Sequence, residues 1–394
     1  MQINFLVGGE AGQGVQTVGF IIAKVMSRGG RYVFADQDYE SRIRGGHNFF
    51  RVRASDGPVY SFSGAVDILI ALNKETFDLH SGEMGRDGII LLDQDKVKVA
   101  SSGFRVIDVP MEKMAVETTS DRLMSNSVAT GAALGLLGIN FDLLSAVLLE
   151  QFSKAGKDVA ENNVKAARAG YDLGERNRPQ GQQQFAANTS GERGLLLNGN
   201  EALALGAMAA GVKFIAAYPM TPTTQIMEFT SEKAKDYGMV VVQPEDEIAA
   251  INMVIGAAYA GVRAMTATSG SGFCLMVEGL GLAGITETPT VVVLGQRPGP
   301  AVGLPSRTEQ GELLFACYAG TGEFPRAVFA PATIEDCFHS AVHAFNLAER
   351  YQTLVILLTD HVLGTSYQTV GRPDLKKVTI DRGDVLSNAE AEAA

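Results

Sequence analysis

The pattern of apolar and polar positions predicts strands that alternate with helices along the whole chain. In the first half we expect strands at residues 3–7, 31–35, 49–53, 66–73 and 88–93, and a helical stretch at 130–152 broken near 138–140. In the second half we expect near-continuous apolar strands at 214–217, 239–243, 263–267, 290–294, 327–330 and 354–358. Strands alternating with helices predict an α/β fold class. Strands that are apolar throughout predict a mostly parallel sheet buried on both faces in the second half.

A polar segment separates the two halves. Residues 176–193 are rich in Gln, Asn and Gly and lack apolar periodicity, which is typical of an exposed linker. We therefore predict one α/β domain at 1–175 and a second at 194–370, followed by an acidic, Ala-rich tail at 371–394.

Composition excludes several classes of protein. The net charge of −11 argues against nucleic acid as a partner. No apolar run is long enough to cross a membrane, and the first ten residues read as a strand and not as a signal peptide. Cys274, Cys317 and Cys337 are too scattered to ligate an iron–sulfur cluster alone, and the five histidines form no metal-binding pattern. We predict a cytoplasmic protein with no metal site of its own.

Polar side chains follow the apolar strands of the second half. The carboxyl ends of parallel strands meet at one edge of a sheet, where ligands bind, so we expect these side chains to converge on one crevice. They are Thr221, Glu247, Thr268, Ser269, Ser271 and Arg297. Taken singly, each has a simpler interpretation, such as a rigid turn, a helix start or a surface charge.

Three acids at residues 245–247 open a helix of small residues that runs to about residue 261. Acids in a first turn stabilise a helix by about 0.3–1 kcal/mol each through its dipole. Capping is therefore an alternative to a functional role for Glu247, and the local sequence alone favours it.

A glycine-rich turn is expected between the first strand and the first helix. Gly9, Gly12 and Gly14 give GxxGxG and not the GxGxxG of dinucleotide-binding domains, so nicotinamide binding is not expected. An anion resting on the helix start is still open. Arg42 and Arg44 beside a Gly-Gly pair indicate either an anion or partner-docking loop or a solvated basic loop.

Three motifs of the first half resemble a known domain. GGEAGQGV at 8–15, ESRIRGGHNFF at 40–50 and VDILIALN at 66–73 resemble the γ domain of the 2-oxoacid:ferredoxin oxidoreductases. The resemblance links this domain to assembly and to access of coenzyme A. It makes Gly12, Gly14, Arg42 and Arg44 candidates for contacts with coenzyme A or another anion.

The second half resembles the pyrimidine-binding domain of the α subunit of the same family. The motifs are YPMTP at 218–222, residues 245–273 beginning EDEIAAIN, and GQRPGPAVGLPSRTEQGEL at 295–313. The family's usual forms are YPITP and RPGPSTGLPT, so Met220 and the pair Ala301 and Val302 are mild departures.

The resemblance implies a site shared between two chains. Thiamine diphosphate would lie between this chain, which receives the pyrimidine ring, and a β subunit that binds the diphosphate, Mg²⁺ and a [4Fe-4S] cluster. Glu247 falls where the family's catalytic glutamate hydrogen-bonds the pyrimidine N1′. Thr221 and Arg297, with Tyr218 beside them, fall where the 2-oxoacid carboxylate is held. Thr268, Ser269 and Ser271 are assigned to the cofactor.

The expected function is that of an α subunit in an (αβ)₂ assembly with ferredoxin as electron acceptor. The reaction is oxidative decarboxylation of a 2-oxoacid with coenzyme A to an acyl-CoA and CO₂, in either direction. We expect 2-oxoglutarate as substrate; pyruvate, branched-chain 2-oxoacids and indolepyruvate are open. A non-catalytic assembly subunit and a nicotinamide dehydrogenase are the alternatives. Long α subunits of the family continue after residue 366 with a transketolase-C-terminal-like domain, so a truncated chain, a separately encoded domain and a compact variant are all open.

Overall fold

The computed structural model describes residues 1–40, 45–99, 103–179, 194–386 and 388–393. The chain forms two compact units. The first contains Met1–Leu196 and Tyr367–Gly371, and the second contains Leu197–Ser366 and Arg372–Ala394. The α/β fold class expected from the sequence is confirmed.

The helices and strands up to residue 197 follow the predicted alternation. The strands are β1 (Gln2–Ala11), β2 (Tyr32–Asp38), β3 (Gly45–Ser55), β4 (Val66–Ala71), β5 (Met84–Leu92), β6 (Arg105–Asp108) and β7 (Leu195–Leu197). The helices are α1 (Val15–Arg28), α2 (Lys74–His80), α3 (Met111–Thr119), α4 (Ser125–Leu137), α5 (Phe141–Gln151) and α6 (Lys157–Arg176).

The remaining elements lie between residue 199 and the end of the described chain. The strands are β8 (Phe214–Ala216), β9 (Val240–Val242), β10 (Ala264–Ser269), β11 (Thr290–Gln296), β12 (Arg326–Phe329), β13 (Leu354–Asp360) and β14 (Tyr367–Val370). The helices are α7 (Gly199–Ala209), α8 (Thr224–Tyr237), α9 (Glu247–Tyr259), α10 (Gly270–Ile285), α11 (Leu313–Tyr318), α12 (Ile334–Tyr351), α13 (His361–Thr365) and α14 (Asn388–Ala393).

The sheet of the first unit is mixed and has the order β6-β5-β4-β1-β3-β2-β14-β7. Strand β1 lies inside it, parallel to β4 and antiparallel to β3. Phe5 and Val7 pack into the core that contains α1 and α4, whereas Leu6 packs into a second core with Leu69. Apolar residues on both faces explain why this strand is apolar throughout.

Gly8 and Gly9 correct one prediction, because they lie inside β1 and not in a turn. A Cβ atom at Gly8 would lie 2.4 Å from the Thr76 side chain, and one at Gly9 would lie 2.6 Å from Gln13 Oε1. These two glycines allow close packing. The turn comes later, at Gly12 and Gly14, whose φ angles of 93° and 76° are in the region that glycine adopts without strain.

The predicted break near residue 138 is confirmed. Helix α4 ends at Leu137, and Gly138 follows with a φ of 65°. Asn140 then accepts a hydrogen bond from the backbone N–H of Asp142 and begins α5. The two helices therefore end and start by ordinary capping chemistry.

Residues 367–371 do not belong with the second unit, although we predicted that the second domain extends to residue 370. Strand β14 pairs antiparallel with β2, with Tyr367 opposite Ala35. The Thr369 hydroxyl accepts a hydrogen bond from the Val33 N–H at 3.1 Å. This pairing satisfies backbone groups along β2, which is the physical reason for the return of the chain to the first unit.

The sheet of the second unit is parallel throughout and has the order β12-β13-β11-β10-β8-β9. From β8 the chain adds β9 on one side and β10 on the other. The crevice between the ends of β8 and β10 is therefore a topological switch point, where ligands bind in open α/β sheets. Among the described residues, none of the helices combines the length and the apolar composition that a bilayer crossing needs.

A buried charge cluster lies at the amino end of this sheet. Arg263, just before β10, donates to Glu349 Oε2 from Nε and Nη2 at 2.9 and 2.7 Å and to the Ala210 carbonyl from Nη1 at 2.6 Å. Arg382 donates to Glu349 Oε1 at 2.7 Å. We predicted the segment after residue 371 only as a tail. The bond between Arg382 and Glu349 attaches this segment to α12 of the second unit.

Candidate active site

The three acids that follow β9 have three different environments. Glu245 is exposed. Asp246 caps α9, its side chain accepting a hydrogen bond from the Ala249 N–H at 2.7 Å. Glu247 is 4 % exposed, and its Oε1 has no hydrogen-bond partner. Capping therefore accounts for Asp246 but not for Glu247, since a buried carboxylate oxygen without a partner is costly.

The Glu247 carboxylate lies against the start of α10. A Cβ atom at Gly272 would lie 2.5 Å from Glu247 Oε1 and 2.1 Å from Thr268 Oγ1. Glycine at this position therefore leaves room for both side chains. The structure brings Glu247 and Thr268 together, although Glu247 follows β9 and Thr268 lies near the end of β10.

Strand β10 carries its polar residues further inside the fold than predicted. We expected this strand to end at residue 267, but it continues through Thr268 and Ser269, which are both fully buried. Ser269 Oγ and Thr266 Oγ1 have no hydrogen-bond partner. Ser269 precedes α10 yet makes no side-chain cap bond, so helix capping does not explain its hydroxyl.

Arg297 follows β11 and is 5 % exposed. Its Nη1 donates to the Thr221 carbonyl at 2.6 Å, whereas its Nη2 has no partner. Burial lowers the pKa of Arg297 from its usual value, against the effect of the nearby Glu312 charge. The contact with Thr221 fixes one side of the guanidinium and leaves a donor unused.

The turn after β8 lies across the switch point from α10. Ser271 Oγ lies 3.8 Å from Met220 Sδ. Asn200 Nδ2 donates to the Pro222 carbonyl at 2.8 Å and supports this turn from α7. Tyr218, at its beginning, is 37 % exposed.

A cavity of about 470 Å³ opens beside Arg297. It is lined by Gly270, Ser271, Cys274, Arg297, Pro298, Gly299, Pro300, Ala301, Glu312 and Phe315. Arg297 and Ser271 line this cavity directly, whereas Glu247, Thr221, Thr268, Ser269 and Tyr218 are not among its lining residues.

Glu312 is a polar residue of this cavity that sequence reasoning missed. Its segment was noted as a motif, but it lies before the short helix α11 and not at a strand end. Burial and the neighbouring Glu309 raise the pKa of Glu312 to about 7, against the opposing effects of the Arg297 backbone N–H and charge. Candidate residues were predicted from their positions just after the apolar strands, and Glu312 does not follow one.

Of the candidate anion site of the first unit, the structure describes Gly12 and Gly14. Gly14 precedes α1, and a Cβ atom at Gly14 would lie 2.0 Å from Asn126 Nδ2. At Gly12 no atom lies within 4 Å of an added Cβ, so the turn is open there. Arg42 and Arg44 lie outside the described residues.

Two family models match the chain. The model described as pyruvate ferredoxin/flavodoxin oxidoreductase matches residues 4–173. The model described as pyruvate flavodoxin/ferredoxin oxidoreductase, thiamine diP-binding, matches residues 205–393. Together they cover both units.

Individual relatives agree with these models. The 2-oxoacid:ferredoxin oxidoreductase subunit alpha of Sulfolobus sp is 32 % identical over 449 residues, covering 99 % of this chain and 70 % of the relative. The 2-oxoglutarate synthase subunit KorA of Archaeoglobus fulgidus is 45 % identical over 183 residues, covering 46 % of this chain and 53 % of the relative.

A solved structure matches across both units. It is a 2-oxoglutarate:ferredoxin oxidoreductase from Magnetococcus marinus with 2-oxoglutarate, coenzyme A and succinyl-CoA bound. Its TM-score is 0.87 at 34 % identity, covering 98 % of this chain and 68 % of that chain. The chain therefore belongs to the 2-oxoacid:ferredoxin oxidoreductase family, as an α subunit with a thiamine diphosphate-binding domain in its second half.

Proposed function

We propose that this α subunit contributes the pyrimidine-binding and carboxylate-binding halves of an active site that oxidatively decarboxylates 2-oxoglutarate to succinyl-CoA and CO₂. The observation that carries the proposal is the Glu247 carboxylate, buried with one oxygen unpartnered at the carboxyl edge of a parallel sheet. A buried carboxylate oxygen needs a hydrogen-bond donor, and a ligand bound at this edge of the sheet can supply one. The rest of the proposal follows from its neighbours.

The residues around Glu247 fit the pyrimidine ring of thiamine diphosphate. The unpartnered Oε1 can accept a hydrogen bond from a protonated ring nitrogen. Gly272 keeps the space beside the carboxylate free of a side chain. The buried hydroxyls of Thr268 and Ser269 lie at the carboxyl end of β10. We assign Glu247 to N1′ and the two hydroxyls to positioning of the ring.

Thiamine diphosphate, when bound, supplies a carbon nucleophile that adds to the 2-oxo carbon and takes up the electrons released with CO₂. The part of Glu247 is to hold a proton at N1′ and so to keep the aminopyrimidine in the tautomer that acts as a base. Burial excludes water from the carboxylate. A hydrogen bond to an ionised group in such surroundings is stronger than one in water.

Arg297 fits the carboxylate of the 2-oxoacid. Its guanidinium is buried, is oriented by the Thr221 carbonyl and has a free donor at Nη2. A planar fork suits a carboxylate because it can pair with both oxygens. We place Tyr218, which begins the same turn as Thr221, at the rim of the substrate site.

The exposed faces of α9 and α10 support a partner subunit. Beyond Glu247, helix α9 has no charged residue, and α10 has only Glu278. Large apolar side chains on the two helices are nevertheless exposed: Ile248, Met253, Tyr259, Leu275, Leu282 and Ile285. Apolar faces of this kind mark protein interfaces. We propose that a β subunit covers them in an (αβ)₂ assembly and brings the diphosphate site, Mg²⁺ and the [4Fe-4S] cluster, from which ferredoxin is reduced.

The choice of 2-oxoglutarate rests on two relatives. The Archaeoglobus fulgidus protein is a 2-oxoglutarate synthase subunit, and the Magnetococcus marinus structure contains 2-oxoglutarate and succinyl-CoA. Coenzyme A is proposed to approach the first unit near the open turn at Gly12 and Gly14. Arg42 and Arg44, which lie outside the described residues, are proposed as further contacts for it.

The test is reconstitution with the β subunit, followed by ferredoxin reduction with four substrates: 2-oxoglutarate, pyruvate, a branched-chain 2-oxoacid and indolepyruvate. We expect the highest kcat/KM with 2-oxoglutarate and strict dependence on coenzyme A. The α chain alone should be colourless and free of iron. A higher kcat/KM with another 2-oxoacid would overturn the substrate assignment, and stoichiometric iron in the α chain alone would overturn the proposed division between subunits.

A further inference from the structure

Glu312 lines the same cavity as Arg297, and its segment is held in place by several contacts. Its backbone N–H donates to Gln296 Oε1 at 3.0 Å. Two residues earlier, Gln310 Nε2 donates to Asp360 Oδ2 at 2.7 Å. A Cβ atom at Gly270 would lie 2.2 Å from Glu312 Oε1, so the carboxyl group packs directly on the start of α10. The side chain is therefore placed by the fold.

One oxygen of this carboxyl group is unused. Glu312 Oε2 is buried and has no hydrogen-bond partner, and the same is true of Arg297 Nη2. Within the described residues, the Arg297 guanidinium forms no ion pair with the Glu312 carboxyl group; its Nη1 donates to the Thr221 carbonyl instead. An acid and an arginine thus line one cavity, each with an unused polar atom.

We propose, resting on the substrate role assigned to Arg297 above, that Glu312 is a positioning residue that must hold a proton for the 2-oxoacid to bind. The neutral carboxyl group can donate a hydrogen bond to a substrate oxygen. The ionised group would compete for Arg297 and repel the incoming carboxylate. Substrate binding then takes up one proton from solvent whenever Glu312 is ionised in the free enzyme.

The charges around Glu312 agree with this assignment. Burial and Glu309, which is on the same segment, both disfavour the ionised form, whereas Arg297 after β11 favours it. Cys274 of α10 is the other titratable group that lines the cavity. The net result is a pKa of about 7 for Glu312, so the residue changes charge near neutral pH. A second anion in the cavity raises that pKa further.

The expected result is a KM that depends on pH. For wild-type complex the KM for 2-oxoglutarate should be flat below about pH 6.5 and rise above pH 7, by about tenfold between pH 6 and pH 8 for a single group of pKa near 7. Glu312→Gln keeps the shape and a donor but cannot ionise. Its KM should stay near the low-pH wild-type value at both pH values, and ferredoxin reduction by the reconstituted complex measures it.

Glu309→Gln sharpens the test because it removes the like charge that raises the Glu312 pKa. In this variant the rise in KM should begin at lower pH than in wild type. A Glu312→Gln complex with the wild-type pH profile of KM would overturn the inference. At pH 6 Glu312 is neutral in both the wild-type and the Arg297→Lys complex. An unchanged KM in Arg297→Lys at this pH would overturn the substrate role of Arg297. Failure of the Glu312 inference and failure of the Arg297 assignment are therefore distinguishable.

Discussion

Two arginines at opposite ends of the same parallel sheet are buried to the same degree but have different surroundings. Arg263, at the amino end, is 6 % exposed and donates to the Glu349 carboxylate, the Ala210 carbonyl and the Asn346 side chain. Arg297, at the carboxyl end, is 5 % exposed, donates to one carbonyl and leaves Nη2 without a partner. The two guanidinium groups therefore differ in hydrogen-bond satisfaction and not in burial.

The same contrast holds for the acids. Both Glu349 oxygens accept from arginines, whereas Glu247 Oε1 and Glu312 Oε2 accept from none. Leaving a buried polar group unpaired costs about 1–3 kcal/mol, more for a charge. We infer that unpaired groups persist at the carboxyl edge of the sheet because a ligand supplies their missing partners. At the amino end the protein itself supplies the partners of Arg263 and Glu349.

The largest expected effect is on stability at the amino end. Glu349→Gln leaves the Arg263 guanidinium buried beside a neutral amide, and removal of one partner of a buried pair costs about 3–5 kcal/mol. The urea midpoint of the α chain should fall markedly, as followed by circular dichroism. Glu323→Gln, on an exposed residue, should leave it almost unchanged. A midpoint equal to wild type in Glu349→Gln would show that the cluster contributes little to the fold.

The next effect is on turnover at the carboxyl edge. Glu247→Gln keeps the volume but removes the carboxylate proposed to hold a proton at N1′, so turnover should fall by at least about 10²-fold. Stability should change by no more than about 1 kcal/mol, since only a first-turn charge is lost. The measurements are turnover of the reconstituted complex and hydrogen exchange at C2 of its thiamine diphosphate by NMR.

Glu245→Gln is the matched control, because Glu245 is an exposed acid two residues away. It should leave both turnover and exchange at wild-type values. If Glu247→Gln also exchanges at the wild-type rate, Glu247 is a helix-start charge and the assignment of the site fails.

The smallest of the three effects concerns substrate affinity. Arg297→Lys keeps the charge but loses the planar fork, so a charged hydrogen bond of about 1.5–3 kcal/mol is lost. This corresponds to roughly ten- to a hundredfold in kcat/KM, mainly through KM. Steady-state kinetics at pH 6, where Glu312 is neutral, isolate this contribution. An unchanged kcat/KM would remove Arg297 from the substrate site.

The sequence predicted the features that depend on local pattern. The break at Gly138 was predictable because only glycine adopts its φ readily. Strands β11 and β13 of the parallel sheet were predictable because both of their faces are buried and the runs are apolar. These two signals lie within a few residues of the features that they predict.

Features that depend on tertiary contacts were not predictable in this way. Strand β10 extends through Thr268 and Ser269 because β11 pairs with it as far as Ser269, and no apolar pattern marks that extension. Gly8 and Gly9 look like turn residues, but the pairing of β1 with β3 places them in a strand. Glu312 gains its environment from Gly270 and Arg297, which are distant from it in sequence.

The pairing of β14 with β2 affects the order in which the molecule is made. Strand β2 ends at Asp38, whereas its neighbour begins at Tyr367. At about 5–20 residues per second, a ribosome takes on the order of 15 to 65 seconds to synthesise the chain between them. Throughout that interval β2 is an open sheet edge, to which other chains can add strands. The sheet of the first unit therefore cannot be completed until residue 370 has been translated, and chaperone cover of that edge during synthesis would favour its correct assembly.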